Sequence, residues 1–363
     1  MQFIDLQTQY QQHKAQIDAA IARVLNHGQF LFGPEVKSLE SQLASTVGVT
    51  HCISMSSGTT ALHIALMALE IQPGDEVITT PFSFFATAEV IYLLGAKPVY
   101  IDIDPTTYLM DPNLLEAAIT QKTKAIIPVS LYGQCADMDV INAIAKRHGI
   151  AVIEDAAQSL GAEYKGRKSC ALSDIACTSF FPSKPLGGYG DSGACFTNDD
   201  ALAEKMRLIM NHGQQSRYHH VAIGMNGRMD TLQAAILLEK LAIFEKEIKA
   251  RQVVANWYRA ELPDFLMPPT ILSHNLSVFA QYTVQVDDRE NVVKQLNAAG
   301  VPTAVHYPVG LHQQPVVAKI TREKLSFPHT ERCAKRVLSL PFHPYMQREM
   351  VQEICEKLVG VGV

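Results

Sequence analysis

The chain has 363 residues, of which 47% are hydrophobic and 18% charged. That length exceeds one small core and implies a large domain plus a smaller one, and the composition excludes a disordered, highly solvated chain. A formal net charge of -5 with no long Lys/Arg run gives no electrostatic basis for nucleic acid, so any small anionic ligand must be held by local donors.

Met-Gln-Phe-Ile-Asp-Leu at the N-terminus does not read as a signal peptide. No apolar run reaches membrane-spanning length; the longest, Ala61 to Leu69, is interrupted by His63 and ends at Glu70. Seven cysteines, without a C-x-x-C pair, argue against a disulfide framework or structural zinc and fit a reducing cytoplasm.

Helical periodicity runs from about Thr8 to Leu25, stopping at His27-Gly28, and again from Glu35 to Val47, stopping at Gly48. Strands and helices then alternate. The expected strands are His51–Met55, Glu76–Thr79, Lys97–Ile101, Lys124–Val129, Ala151–Glu154 and Ile175–Phe181; the helices are Ala61–Leu69, Ala86–Leu94, a short one near Pro112–Ala118, and Asp139–His148. Apolar strands spaced by helices imply a mostly parallel sheet covered on both faces. A reverse turn at Gly190–Gly193 precedes a strand at Ala194–Thr197, and a long helix from about Met229 to Leu262 is a natural bridge between domains. Pro263, Pro268 and Pro269 mark a boundary, after which strand and helix alternate on a smaller scale at Ala280–Val286, Arg289–Ala299, Thr303–His306 and Gln347–Val359.

Four local features occur together and in order on this scaffold. Ser56-Ser57-Gly58-Thr59-Thr60 lies between a strand and a buried helix, where free N–H groups and hydroxyls make an anion site; alone it is equally an N-cap. The motif Glu154-Asp155-Ala156-Ala157-Gln158 ends a strand, on the side where open α/β sheets bind ligands, and Asp155 suits a protonated pyridine nitrogen; alone it is more often a turn residue. Thr178 to Gly187 sets Lys184 after an apolar strand among Ser179 and Ser183, a candidate amine nucleophile; an isolated lysine is usually a surface residue. Thr80 to Thr87 contains Phe82, Phe84 and Phe85; one ring suits stacking on a flat heterocycle, and core packing is the better expectation for at least two of the three.

In combination, G-T-T, the aromatic turn, E-D-A-A-Q, S-F-x-x-S-K and G-D-S-G resemble the DegT/DnrJ/EryC1/StrS sugar aminotransferases, and the resemblance runs from Phe3-Ile4-Asp5-Leu6 to Leu340-Pro341-Phe342-His343-Pro344. It implies the α/β fold of pyridoxal phosphate (PLP) enzymes of fold type I: a large domain, 1–245, with a mostly parallel seven-stranded sheet, and a smaller α/β C-terminal domain, 246–363. It implies PLP as cofactor, with Lys184 as Schiff-base lysine and Asp155 as partner of the pyridine nitrogen. Gln158 matches the residue near the phenolic oxygen, Gly58, Thr59 and Ser179 match phosphate ligands, and Phe84 matches the stacking aromatic. Asn226 matches a residue reaching the phosphate from a partner subunit, which implies a homodimer with shared active sites.

The segments Leu131 to Asp137, Asn211 to His220 and Gly300 to Pro308 resemble the branch acting on UDP-2-acetamido-2-deoxy-3-oxo-glucuronate, which serves bacterial surface polysaccharide such as the lipopolysaccharide O-antigen. Arg228, His306 and Tyr307 are then candidates for substrate binding; a surface ion pair and a satisfied interface histidine are the plain alternatives for the first two. The donor implied is L-glutamate and the acceptor a keto-sugar nucleotide. A 3-keto or 4-keto deoxyhexose nucleotide is the alternative acceptor, and a non-enzymatic regulator of the same fold the alternative function. His219-His220 lacks a third ligand at suitable spacing, so no metal is expected.

Overall fold

The computed structural model describes residues 1–263, 266–321 and 324–361. Two helices, α1 (Leu6–His27) and α2 (Pro34–Val47), precede the sheet and stop at Gly28 and Gly48, both in the left-handed conformation that favours glycine. Seven strands follow: β1 (His51–Met55), β2 (Glu76–Thr79), β3 (Lys97–Tyr100), β4 (Thr123–Ile127), β5 (Ala151–Asp155), β6 (Ile175–Ser179) and β7 (Gly193–Thr197). They form one sheet in the order β1-β7-β6-β5-β4-β2-β3. Only β7 runs against its two neighbours; the other pairs are parallel.

Successive side chains on a strand point to opposite faces, so a run of apolar residues serves two cores. Val77, Ile127 and Ile153 pack on one face with α3 (Gly58–Ala68), while Ile78, Ile126 and Val152 pack on the other with α5 (Met138–His148). Between these helices in the chain lies α4 (Ala86–Leu93), and after β7 comes α6 (Asp200–Met210).

The long helix is α7 (Thr231–Glu261). Its Ala235 packs on Ala20 and Val24 of α1, Leu237 and Phe244 join Leu39 and Leu43 of α2, and Val254, Ala255 and Tyr258 enter a separate apolar cluster of the C-terminal region. It passes through residue 245 unbroken. The C-terminal cluster is built on β8 (Tyr282–Gln285), antiparallel to β9 (Val337–Leu340), with α8 (Arg289–Ala298) and α9 (Arg348–Gly360) against them.

Sequence periodicity did not mark α6, the helices Pro315–Thr321 and Pro328–Arg336 or the hairpin of Glu163–Tyr164 with Arg167–Lys168, and the C-terminal strands differ from expectation. Thr303–His306 is no strand; only Ala304 bridges to Ser339, because Pro302 and Pro308 flank the segment and cannot donate to a ladder. Its place beside β8 is taken by β9, which follows the helix Pro328–Arg336 with no Gly or Pro between them to mark the change. Among the described residues no helix is long and apolar enough to cross a membrane.

Candidate active site

The carboxyl ends of the parallel strands open into a cleft of about 490 Å³. This is where open α/β sheets leave backbone groups unpaired and bind ligands. The turn after β1 forms one wall. Ser57 caps α3 by accepting a hydrogen bond from the Thr60 N–H at 3.0 Å, and the first helical N–H groups, at Gly58 and Thr59, have no intrahelical partner. Ser179 at the end of β6 lies against this turn: a Cβ on Gly58 would sit 2.7 Å from the Ser179 Cβ, and one on Gly193 would sit 2.5 Å from the Ser57 carbonyl carbon. Glycine at both positions lets three chain segments close into a cradle suited to an anion.

Asp155 lies at the end of β5 with 4% of its surface exposed. Its Oδ2 accepts from the Thr87 hydroxyl at 2.8 Å and its Oδ1 from the Ala157 N–H at 3.1 Å. Burial pushes the carboxyl above its ordinary value, against the hydrogen bonds and the Lys184 charge, which pull it down. Lys184 lines the same cleft from the loop after β6, its N–H donating to the Phe181 carbonyl at 2.8 Å. Burial lowers its ammonium to about 8, and the Asp155 charge opposes that fall. An amine at about 8 is roughly one-fifth neutral near physiological pH, far more than an ordinary lysine, and that fraction is nucleophilic.

Gln158 is held at both ends of its carboxamide. Oε1 accepts from the Tyr132 N–H at 2.7 Å, and Nε2 donates to the Tyr307 hydroxyl at 3.1 Å. Tyr132 has φ 56°, a left-handed turn that aims its N–H inward. Tyr307 leans on Phe84 with ring centroids 6.3 Å apart. Phe84 is 59% exposed at the cleft rim, whereas Phe82 is fully buried and Phe85 packs with Tyr100 and Leu311, so one ring of the three faces the cleft.

His306 also lines the cleft, with Nδ1 2.9 Å from the Ser339 hydroxyl. Burial, with the Lys184 charge, lowers its imidazole to about 4, so it is neutral at neutral pH and offers a hydrogen bond rather than a charge. Asn226 and Arg228 stand apart. Asn226 is exposed and bridges to Asn211, and the Arg228 Nη1 donates to the Asn211 side-chain oxygen at 2.7 Å; neither lines this chain's own cleft.

Sequence reasoning missed four polar residues lining the cleft: Ser83, Thr87, Asp191 and Gln281. Thr87 touches Asp155 across 68 positions of chain, and no local pattern announces such a contact. Asp191 was legible only as part of the G-D-S-G motif, and Gln281 only as the residue before β8.

Residues 11–359 match the DegT/DnrJ/EryC1/StrS aminotransferase family. The UDP-2-acetamido-2-deoxy-3-oxo-D-glucuronate aminotransferase of Pseudomonas aeruginosa is 60% identical over 361 residues, covering 99% of this chain and 100% of that protein. A DegT DnrJ EryC1 StrS aminotransferase from Brucella abortus superposes with a TM-score of 0.95 at 41% identity, covering 99% of each chain. NtdA from Bacillus subtilis, solved with bound cofactor PMP, gives a TM-score of 0.90 at 33% identity over 99% of this chain and 83% of that one. With a seven-stranded sheet of fold type I and a family match over nearly its whole length, the chain belongs to the DegT/DnrJ/EryC1/StrS aminotransferases.

Proposed function

We propose that the chain is a PLP-dependent aminotransferase that moves the amino group of L-glutamate to UDP-2-acetamido-2-deoxy-3-oxo-glucuronate. It would act as a cytoplasmic homodimer in the synthesis of bacterial surface polysaccharide, the O-antigen of lipopolysaccharide. The observation that carries this reading is the pairing, in one cleft, of a buried amine at Lys184 with a buried carboxylate at Asp155.

The residues present fit the cofactor. The cradle of Gly58, Thr59 and Ser179, closed so tightly that a Cβ on Gly58 has no room, suits a phosphate. Asp155, pinned by Thr87, suits a protonated pyridine nitrogen; Gln158 suits the phenolic oxygen; Phe84 suits the face of the ring. When bound, PLP supplies an electron sink for the carbon that carries the migrating nitrogen. The protein does the rest. Asp155 would hold the ring proton in place, Lys184 would carry a proton between the substrate carbon and the cofactor carbon, and burial lowers the Lys184 ammonium so that its amine can take that proton. Asn226, turned away from its own cleft, would reach the phosphate of a partner subunit.

The sugar assignment is supported by the Pseudomonas relative at 60% identity, and the cofactor assignment by the PMP held in NtdA. Arg228, His306 and Tyr307 are the proposed substrate contacts; because His306 is neutral, the carboxylate or diphosphate charge falls to Arg228 from the partner. Purified protein should be yellow, bleach with L-glutamate, and regain its colour with the 3-oxo-glucuronate nucleotide in preference to 3-keto and 4-keto deoxyhexose nucleotides. Failure to bleach would end the aminotransferase reading, and faster recolouring by a deoxyhexose nucleotide would replace the acceptor.

A further inference from the structure

We propose that Ser83 and Thr87 form a two-hydroxyl relay that fixes Asp155 as an aimed carboxylate, which makes Thr87 a positioning residue for the reaction proposed above.

The three groups are almost wholly enclosed: Ser83 is 4%, Thr87 1% and Asp155 4% exposed. Thr87 Oγ1 lies 2.8 Å from Asp155 Oδ2 and 2.9 Å from Ser83 Oγ. A hydroxyl has one proton. Ionised Asp155 only accepts, so the Thr87 proton goes to the carboxylate, and the contact between the hydroxyls must be filled by the Ser83 proton. Direction is thereby fixed along the chain, from Ser83 to Thr87 to Asp155. Ser83 lines the cleft, so its oxygen remains as the cleft-facing acceptor at the head of the relay. Ser83 lies in the bend that precedes α4 and Thr87 in its first turn, and the bend brings the two hydroxyls together. Threonine suits the middle position because its branched Cβ restricts the rotation that would swing the hydroxyl away.

The need for such a device follows from what surrounds the carboxylate. Burial alone favours the neutral acid, and a protonated Asp155 can no longer hold a proton on a ring nitrogen. From the loop after β6, Lys184 opposes burial, but only while its amine is charged. Tyr307 and Cys177 face Asp155 as neutral groups, because burial pushes both above their ordinary values. Glu154, next along β5, is occupied by Ser130, Ser169 and the Cys170 N–H. Once Lys184 is neutral, the hydrogen bonds from Thr87 and the Ala157 N–H are what remains among the chain's own groups to keep Asp155 ionised.

The test uses Thr87→Val, which keeps the shape and removes the hydroxyl, with Thr87→Ser as the conservative variant and Ser83→Ala as a change one step removed. Two readouts are taken on the full chain. The first is the pH dependence of single-turnover bleaching by L-glutamate. The second is the carboxyl 13C titration of Asp155 in apoprotein, assigned by its loss in Asp155→Asn. Removing a donor to a charged acceptor raises the carboxyl pKa, so in Thr87→Val the acid limb and the NMR midpoint should both move up, by about one pH unit. Thr87→Ser should return both to the wild-type position, and Ser83→Ala should shift them the same way by less. An unmoved midpoint in Thr87→Val, or Thr87→Ser behaving like Thr87→Val, would overturn the relay. If Thr87→Val does not fold, an unmoved Ser83→Ala midpoint does so. Wild-type protein that fails to bleach would instead count against the aminotransferase reading, while the apoprotein titration still decides the relay.

Discussion

Asp155 and Lys184 feel the same low-dielectric surroundings with opposite results: burial raises the carboxyl and lowers the ammonium. Because Lys184 falls to about 8, the rate at which apoprotein recombines with PLP should rise with pH to a plateau with a midpoint near that value, far below an ordinary lysine. The Asp155 charge stabilises the Lys184 cation, so Asp155→Asn should move this midpoint to lower pH. Stopped-flow absorbance across pH 6 to 10 (roughly two units either side of the midpoint) reads both effects. A midpoint near the ordinary lysine value would show that burial does not control the amine. The same Asp155→Asn protein should still bind PLP yet transaminate about a hundredfold or more slowly, since a preorganised electrostatic partner has been removed. Near-normal turnover would remove Asp155 from its proposed role. These two residues were legible in the sequence because Asp155 ends an apolar strand and Lys184 follows one, each in a distinctive motif. Thr87 was not, because its importance lies in a contact between distant chain segments, and His306 was legible as a cleft residue but not as a neutral one.

At the scale of elements, legibility followed local contrast. Strands β1 to β6 are apolar runs ended by turn residues, and the helices between them stop at glycines or caps, so periodicity alone found nearly all of them. Where contrast failed, the reading failed: β9 follows a helix with no punctuation, and Thr303–His306 has strand-like residues between prolines that prevent pairing. The turn before β7 was legible, but not the reason for its last glycine. Gly193 lies where β7 passes beneath the start of α3, and a methyl there meets the Ser57 carbonyl carbon at 2.5 Å. Backbone cannot yield as a flexible side chain can. Gly193→Ala should therefore cost about 1–3 kcal/mol in urea unfolding and weaken PLP binding together, because relief of the clash opens the phosphate cradle. A variant with wild-type stability and wild-type PLP affinity would refute that coupling.

For the whole molecule, the proposed dimer rests on the segment that leads into α7. Tyr218 and Ile223 are 80% and 87% exposed, close in sequence to exposed Asn226, an apolar surface of the kind a partner covers. Sedimentation should give twice the chain mass. Mixing Lys184→Ala with Asn226→Ala should restore part of the activity once subunits exchange, because one site of each heterodimer then carries both defects and the other neither. No recovery after exchange is verified by mass-tagged subunits would make the sites independent. The end of α7 was legible from the prolines after residue 262. That a single helix would connect both cores was legible from its length, but not which of its residues served which core.

That helix also constrains how the chain can change in length. At 31 residues it is about 46 Å long, with Leu237 and Phe244 committed to one core and Val254 and Tyr258 to another. One residue inserted between Phe244 and Arg251 would turn every downstream side chain by about 100° and carry Arg251, which donates to the Phe279 carbonyl at 3.1 Å, off its partner. The helix thus acts as a reading frame for the fold. Insertions and deletions during divergence can be absorbed in surface turns, whereas within residues 231–261 they would need to come in multiples that restore the helical phase.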